Sequence, residues 1–253
     1  MNEQDEWFVD VYVKYGDTLF DLLTVPKSVY RETPKHIEFI DSIIKSFANN
    51  AKNVLDIPCG DGRISLGLIK KGYDVTGVDI SPKYIEKARD RSPMNGKFIV
   101  GDMRTVDFDT KFDVVLNWYG SFGYFDEETN FKVLSRFSEF LNDNGLLILD
   151  LRNRDYLINK NYVLLYEWKP EIVVRENDKL FFLRYSFDPE TSVLTLTVKT
   201  DEGEFYYRMR LYSLHEIIRM IQKNDLKIVK IYGDYDGTNY SLFSPRLIAV
   251  AKK

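Results

Sequence analysis

The stretch Val54-Leu55-Asp56-Ile57-Pro58-Cys59-Gly60-Asp61-Gly62-Arg63 is the part of the chain best suited to chemistry. It reads as a short buried strand ending in a carboxylate, a tight Gly-x-Gly turn and the start of a helix. Gly60 and Gly62 let backbone approach a ligand closely, and a helix N-terminus offers free N–H groups to an anion. Gly60-Asp61-Gly62-Arg63-Ile64-Ser65 falls one residue short of the dinucleotide fingerprint, with Ser65 where Gly or Ala is expected. Asp79, at the end of the next strand, has the spacing that suits ribose hydroxyls.

Two features bear on which ligand this is. A pyrophosphate site should not put carboxylates in its phosphate turn, yet Asp56 and Asp61 flank this one. A ligand carrying an ammonium and a sulfonium would favour them. Gly101-Asp102-Met103 directly follows a third strand, so Asp102 can accept from an exocyclic amine while Met103 covers a ring. Three carboxylates ending three successive strands are hard to explain as three separate caps. Cys59 has no suitably spaced histidine partner and reads as a small packed residue. His36 and His215 read as structural, and two histidines with one cysteine leave no plausible zinc cluster.

The elements that must position these residues alternate. Strands at Val54–Ile57, Val75–Asp79, Phe98–Val100, Phe112–Leu116 and Leu146–Leu149 are separated by amphipathic helices. Continuous apolar strands between such helices mean a parallel sheet covered on both faces, a doubly wound α/β fold with ligands beyond the carboxyl ends of its strands. Thr33-Pro34 predicts an N-cap and first helical residue, and Ser81-Pro82 repeats the pattern. Asp126 is expected to cap a further helix, and Ser213 with Glu216 forms a capping box. From Val163 to Tyr212 the pattern has period two, as in Leu194, Leu196 and Val198, which predicts a small inserted antiparallel sheet. The last two strands, Leu226–Tyr232 and Arg246–Ala251, are expected to pair antiparallel.

The chain has 253 residues, 44% apolar and 29% charged, which fits one α/β domain with a sizeable insertion. A net charge of −4 shows none of the basic surplus expected of a protein that grips phosphate backbone. The acidic start MNEQDEWFVD is unlike a signal peptide, and no apolar stretch approaches a bilayer span. The expectation is a soluble, cytoplasmic protein, with no membrane partner and nucleic acid disfavoured.

Taken together, VLDIPCGDGR, VTGVDIS, FIVGDM, FDVVLNWYGSFGYF and LNDNGLLILDLRNR resemble the class I S-adenosylmethionine-dependent methyltransferases, from about residue 52 onward. The resemblance is strongest to small-molecule enzymes with a β insertion after the fifth strand. Pro58 and Cys59 stand where the family pattern usually has its first Gly-x pair. The resemblance implies the sheet order 3-2-1-4-5-7-6 with the seventh strand antiparallel. It implies a lid segment over residues 1–50, a cofactor domain over 51–155 and 213–253, and an inserted β subdomain over 156–212. It further implies S-adenosylmethionine as cofactor, with S-adenosylhomocysteine as product.

Carried across, the cofactor residues are Asp56, Pro58, Gly60 and Asp61 at the methionyl part, with Asp79 on the ribose. Ile80, Gly101, Asp102 and Met103 meet the adenine, and Asn117 and Trp118 lie near the sulfonium. Tyr12, Tyr15 and Arg31 are candidates from the N-terminal segment, an arginine there pairing with the methionyl carboxylate. The acceptor is expected above the fourth and fifth strands, among Tyr119, Ser121, Phe122, Tyr124, Asp150, Arg152 and Asn153, roofed by the inserted sheet and Tyr240. The fourth strand ends Asn117-Trp118-Tyr119-Gly120, unlike the element used by base methylases, so a small molecule with an O or N acceptor ranks above peptide and nucleic acid. No catalytic base and no metal ligand is assigned. A non-catalytic cofactor-binding protein, and more remotely a nicotinamide oxidoreductase, are the alternatives.

Overall fold

A computed structural model describes residues 6–14, 27–92, 96–159, 172–176, 179–201 and 203–253. The chain begins with α1 (Trp7–Val9), continued by a π-helical turn, Asp10–Lys14, and then α2 (Lys27–Phe47). The alternating part follows as β1 (Asn53–Asp56), α3 (Arg63–Lys70), β2 (Asp74–Asp79), α4 (Pro82–Arg91), β3 (Lys97–Val100) and β4 (Phe112–Asn117). Next come α5 (Glu127–Phe140), β5 (Leu141–Arg152) and α6 (Arg154–Asn159). Four strands, β6 (Ile172–Glu176), β7 (Lys179–Asp188), β8 (Val193–Thr200) and β9 (Gly203–Arg210), precede α7 (Leu214–Gln222), β10 (Lys227–Tyr232) and β11 (Arg246–Lys252).

Seven strands form one sheet in the order β3-β2-β1-β4-β5-β11-β10. The pairs among β1 to β5 are parallel, and β11 runs antiparallel to both β5 and β10. This is the expected wound order, with β11 as the seventh strand. Alternate side chains feed two cores. Val54, Val75, Val114, Leu116, Ile148 and Val250 pack under α2, α3 and α4. Leu55, Val78, Val115, Leu147, Leu149 and Ala249 pack under α5 and α7. Covering both faces is what makes every central strand read as an unbroken apolar run.

The second sheet, β6-β7-β8-β9, is antiparallel throughout. Leu194, Leu196 and Val198 of β8 and Phe205, Tyr207 and Met209 of β9 are buried, as the period-two pattern requires. They form a third core with Trp7, Phe8 and Val11, so the N-terminal segment rests on the inserted sheet. Residues 163–171, where the insertion was expected to begin, lie outside the described residues.

Three local expectations change. The helix predicted from Thr33-Pro34 begins at Lys27 and carries Pro34 inside it. Pro34 removes one backbone hydrogen bond, but Val29 buried beside Tyr84 and a Tyr30 hydroxyl 2.7 Å from Asp61 Oδ2 anchor the turn before it. Ser81 occupies the N-cap of α4 without a side-chain cap bond; the backbone N–H of Ser81 donates to Asp79 Oδ1 at 2.9 Å instead. β5 starts at Leu141, which pairs with Phe112 of β4; the register then shifts so that Val114 meets Leu146, and Asn144 in the intervening stretch takes a positive φ of 64°. Asp126 caps α5 by accepting from Thr129 N, and the Ser213–Glu216 capping box forms.

Candidate active site

A cleft opens over the carboxyl ends of β1, β2, β3 and β4. Its floor comes from the turn after β1. Gly60 has φ +57° and faces open space where a Cβ would be, so backbone is presented to the cleft. Gly62 has φ +79° and caps α3; a Cβ there would meet Ala88 Cβ at 2.9 Å, which leaves glycine as the residue that fits.

Three carboxylates line this floor. Asp79 Oδ2 accepts from Gly60 N at 2.8 Å, so the tip of β2 holds the turn after β1 in place. Burial pushes the Asp79 carboxyl up to about 6, against the pull of its backbone donors. Asp56 is completely enclosed and accepts from Ser65 Oγ at 2.5 Å; burial raises it to about 7. Asp61 accepts from Tyr30 and lies 2.9 Å from Arg91 Nη2. At the tip of β3, Asp102 is paired with Arg104, Nη2 to Oδ2 2.6 Å.

The far end of the cleft is aromatic. Tyr12, Tyr124 and Tyr207 bring their hydroxyls together, Tyr12 to Tyr124 at 3.0 Å and Tyr207 to Tyr124 at 3.4 Å. Burial, and the crowding of the phenols, hold Tyr12 and Tyr207 well above the usual tyrosine range, so they act as neutral dipoles. Trp7 closes behind them, donating through Nε1 to the Tyr124 carbonyl at 3.3 Å. Tyr119 sits between the two ends with φ +66°, its N–H donating to Asp150 Oδ2 at 2.9 Å.

Two guanidiniums reach the cleft wall. Arg63, the first residue of α3, lies 4.8 Å from the Tyr119 ring centroid and donates weakly to Thr33 Oγ1 at 3.4 Å. His36 Nδ1 lies 3.3 Å from Arg63 Nη1 and 3.4 Å from Trp118 Nε1. Burial, then the Arg63 charge, hold His36 down to about 3, so it is neutral and accepts through Nδ1. Arg152, the last residue of β5, lines the aromatic end.

A methyltransferase-domain family model matches residues 54–145, the span from β1 into β5. The chain is 30% identical over 231 residues to a glycine/sarcosine N-methyltransferase of Aphanothece halophytica, covering 85% of this chain and 81% of that protein. The chain belongs to the class I S-adenosylmethionine-dependent methyltransferases. A glycine/sarcosine N-methyltransferase of Halorhodospira halochloris is 26% identical over 98% of this chain and 89% of its own. Among solved structures, an S-adenosylmethionine-dependent methyltransferase of Clostridium acetobutylicum superposes with a TM-score of 0.74 at 18% identity, over 94% of this chain and 97% of the other. The nicotinamide reading left open by the Gly-x-Gly turn is thereby set aside.

In this methyltransferase the cleft brings together Asp56, Pro58, Gly60, Asp61, Asp79, Ile80, Gly101, Asp102, Met103 and Trp118, with Tyr12 from the N-terminal segment. Asn117 is elsewhere: it is fully buried and its Nδ2 donates to the Ile57 carbonyl at 2.8 Å, tying β4 to β1. Arg31 is exposed on α2 and is not part of the cleft wall. Tyr15 lies outside the described residues. Of the acceptor candidates, Tyr119, Ser121, Tyr124 and Arg152 line the cleft. Phe122 is in the core, Asp150 is committed to Arg246, and Asn153 Nδ2 donates to the Ser244 carbonyl while its Oδ1 accepts from Tyr240. Arg63, Tyr207 and Phe8 were not foreseen as cleft residues. Arg63 stood in the glycine-rich motif itself, and its charge beside an anion-binding turn was the available signal.

Proposed function

We propose that this methyltransferase transfers a methyl group to the nitrogen of a small-molecule amine. The observation that carries this reading is the cleft's two-part make-up: a floor of strand-tip carboxylates and a glycine turn, leading to an aromatic end where three tyrosine hydroxyls meet. An apolar wall carrying three hydroxyls suits a small polar acceptor. The names of the two N-methyltransferase relatives support nitrogen as the acceptor atom.

The residues present fit the cofactor. Asp79 has both oxygens engaged by backbone N–H groups yet keeps lone pairs for ribose hydroxyls. Asp102, charge-balanced by Arg104, can accept from the adenine amine, with Met103 and Ile80 on the ring. Asp56 and Asp61 supply negative charge for an ammonium. Arg63, which makes no ion pair among the described residues, suits the methionyl carboxylate that Arg31 was expected to take. When bound, the cofactor supplies an electrophilic methyl group whose leaving group is neutral. The chain's own task is then to hold a deprotonated nitrogen in line and to exclude water, which positioning alone can accelerate strongly. Trp118, Tyr119 and the tyrosine chamber do this holding, and none of them has to act as a base on a neutral amine.

The test is incubation of the protein with S-adenosylmethionine and pooled small amines, following S-adenosylhomocysteine and methylated product by mass spectrometry. Amine-dependent product is expected. Binding of S-adenosylhomocysteine without turnover of any small amine, alongside turnover of a peptide or nucleic acid, overturns the reading.

A further inference from the structure

Arg152 and Arg246 are direct partners across the β5–β11 ladder. Arg246 is neutralised: Asp150 Oδ1 lies 2.6 Å from its Nη2 and 2.8 Å from its Nε. Arg152 is not. Its guanidinium, partly buried in the cleft wall, has neither an ion pair nor a hydrogen bond among the described residues. Like charges directly opposite in a ladder oppose folding, and a partly desolvated cation without a partner opposes it further. A planar, five-donor group left unpaired in a ligand cleft is a preformed receptor for a planar anion.

We propose that Arg152 binds a carboxylate on the methyl acceptor, which makes the substrate class a small amino carboxylate. This rests on the small-amine reading above and narrows it. The position of Arg152 supports it: it lines the cleft together with Tyr119 and Tyr207, close enough for its charge to pull on both hydroxyls against the upward push of their burial. A carboxylate held there presents the attached amine to the chamber of Tyr12, Tyr124 and Tyr207. Arg63, likewise without an ion pair among the described residues, lies at the glycine turn, so among those residues the aromatic end offers one cation without a counter-charge, matched to a carboxylate and short of a phosphate dianion.

The group transfer balances without a further reagent. The neutral amine's lone pair forms the new N–C bond as the C–S bond breaks, the electron pair of that bond stays on sulfur, and the proton of the resulting ammonium passes to water. Binding the carboxylate leaves the nitrogen as the free nucleophile.

The experiment measures S-adenosylhomocysteine release with glycine, sarcosine and β-alanine against glycinamide and ethanolamine, with aminomethylphosphonate as a third arm. Amino carboxylates are expected to be the good acceptors. Arg152→Gln should raise their KM by about 30- to 100-fold, as loss of a charge-assisted bidentate contact does. The kcat should stay within about threefold, and S-adenosylhomocysteine affinity by calorimetry should be unchanged. Arg152→Lys should recover part of the loss, and glycinamide should be indifferent to both variants. The proposal is overturned if glycinamide equals glycine, if the phosphonate is preferred to every carboxylate, or if Arg152→Gln lowers cofactor affinity as much as it raises KM. Turnover of neutral amines alone sinks the carboxylate while keeping the small-amine reading. Binding of S-adenosylhomocysteine with no small-amine turnover sinks both.

Discussion

The Arg104 guanidinium grips Asp102 from the side, with Nε 2.9 Å and Nη2 2.6 Å from Oδ2, and Nε also 3.1 Å from Oδ1. The same group lies 4.8 Å from the Phe8 ring and 5.0 Å from the Phe125 ring. One side chain therefore joins the tip of β3 to the N-terminal segment and to the loop after β4. Arg104→Ala is expected to weaken S-adenosylhomocysteine binding by about 1 to 2 kcal/mol. Arg104→Lys should recover less than half, because an ammonium cannot fork across a carboxylate. Calorimetry decides it; equal affinity for wild type and Arg104→Ala would detach Asp102 from any dependence on Arg104.

Asp79→Ala should reduce cofactor affinity by about 1.5 to 3 kcal/mol, the range for hydrogen bonds to a charged group. The mutation also frees Gly60 N, so a near-ultraviolet dichroism spectrum should accompany the titration. Intact packing with undiminished affinity would falsify the ribose assignment.

Asp56 gives a pH signature. Burial raises its carboxyl from 3.8 to about 7, with the Ser65 hydroxyl and the Arg63 charge opposing. A raised value in the folded state means that this group's contribution is fully present below the unfolded value and is lost as pH climbs through the folded one. Asp56→Asn should therefore stabilise the cofactor-free protein by about 2 kcal/mol above pH 7. That gain should shrink steadily as pH falls toward about 4. Urea titrations across this range show it, and a gain that grows toward acid has the wrong sign for this account.

Asp150 is fully enclosed and accepts from three donors, Arg246 Nε, the Tyr119 N–H and the Tyr235 hydroxyl at 3.0 Å, with Arg246 Nη2 in ion-pair contact at 2.6 Å. Asp150→Asn leaves Arg246 without a counter-charge and is expected to destabilise by about 3 to 5 kcal/mol. The double variant Asp150→Asn, Arg246→Met should be less unstable than Asp150→Asn alone, since the stranded charge is gone. If the double variant is the worse of the two, packing rather than charge governs this cluster.

The wound sheet and its ligand-facing carboxylates were legible because both depend on local pattern. Apolar runs, a glycine turn and the acid at each strand tip are written within a few residues of one another, and Asp56, Asp79 and Asp102 all line the cleft. What resisted was partner choice. Arg31 and Arg63 are both arginines within reach of the motif, and only tertiary packing turns one outward and the other against Tyr119. Asn117 ends a strand beside Trp118, yet a carbonyl on the neighbouring strand claims its amide. Thr33-Pro34 carries correct cap chemistry and is overruled because Val29 and Tyr30 find burial and a hydrogen bond one turn earlier. That Arg152 finds no counter-charge among the described residues is likewise invisible in the chain, since it depends on Asp150 being taken by the residue across the ladder.

The inserted strands β6 to β9 fall between α6 and α7, so the seven-stranded sheet is complete without them. Tyr207, which they contribute to the cleft, is thus carried by a separate sheet, a cassette beside the chassis to which Asp56, Asp79 and Asp102 belong. Grafting a different four-stranded cassette onto this chassis should retune which molecule is methylated while the donor is held as before.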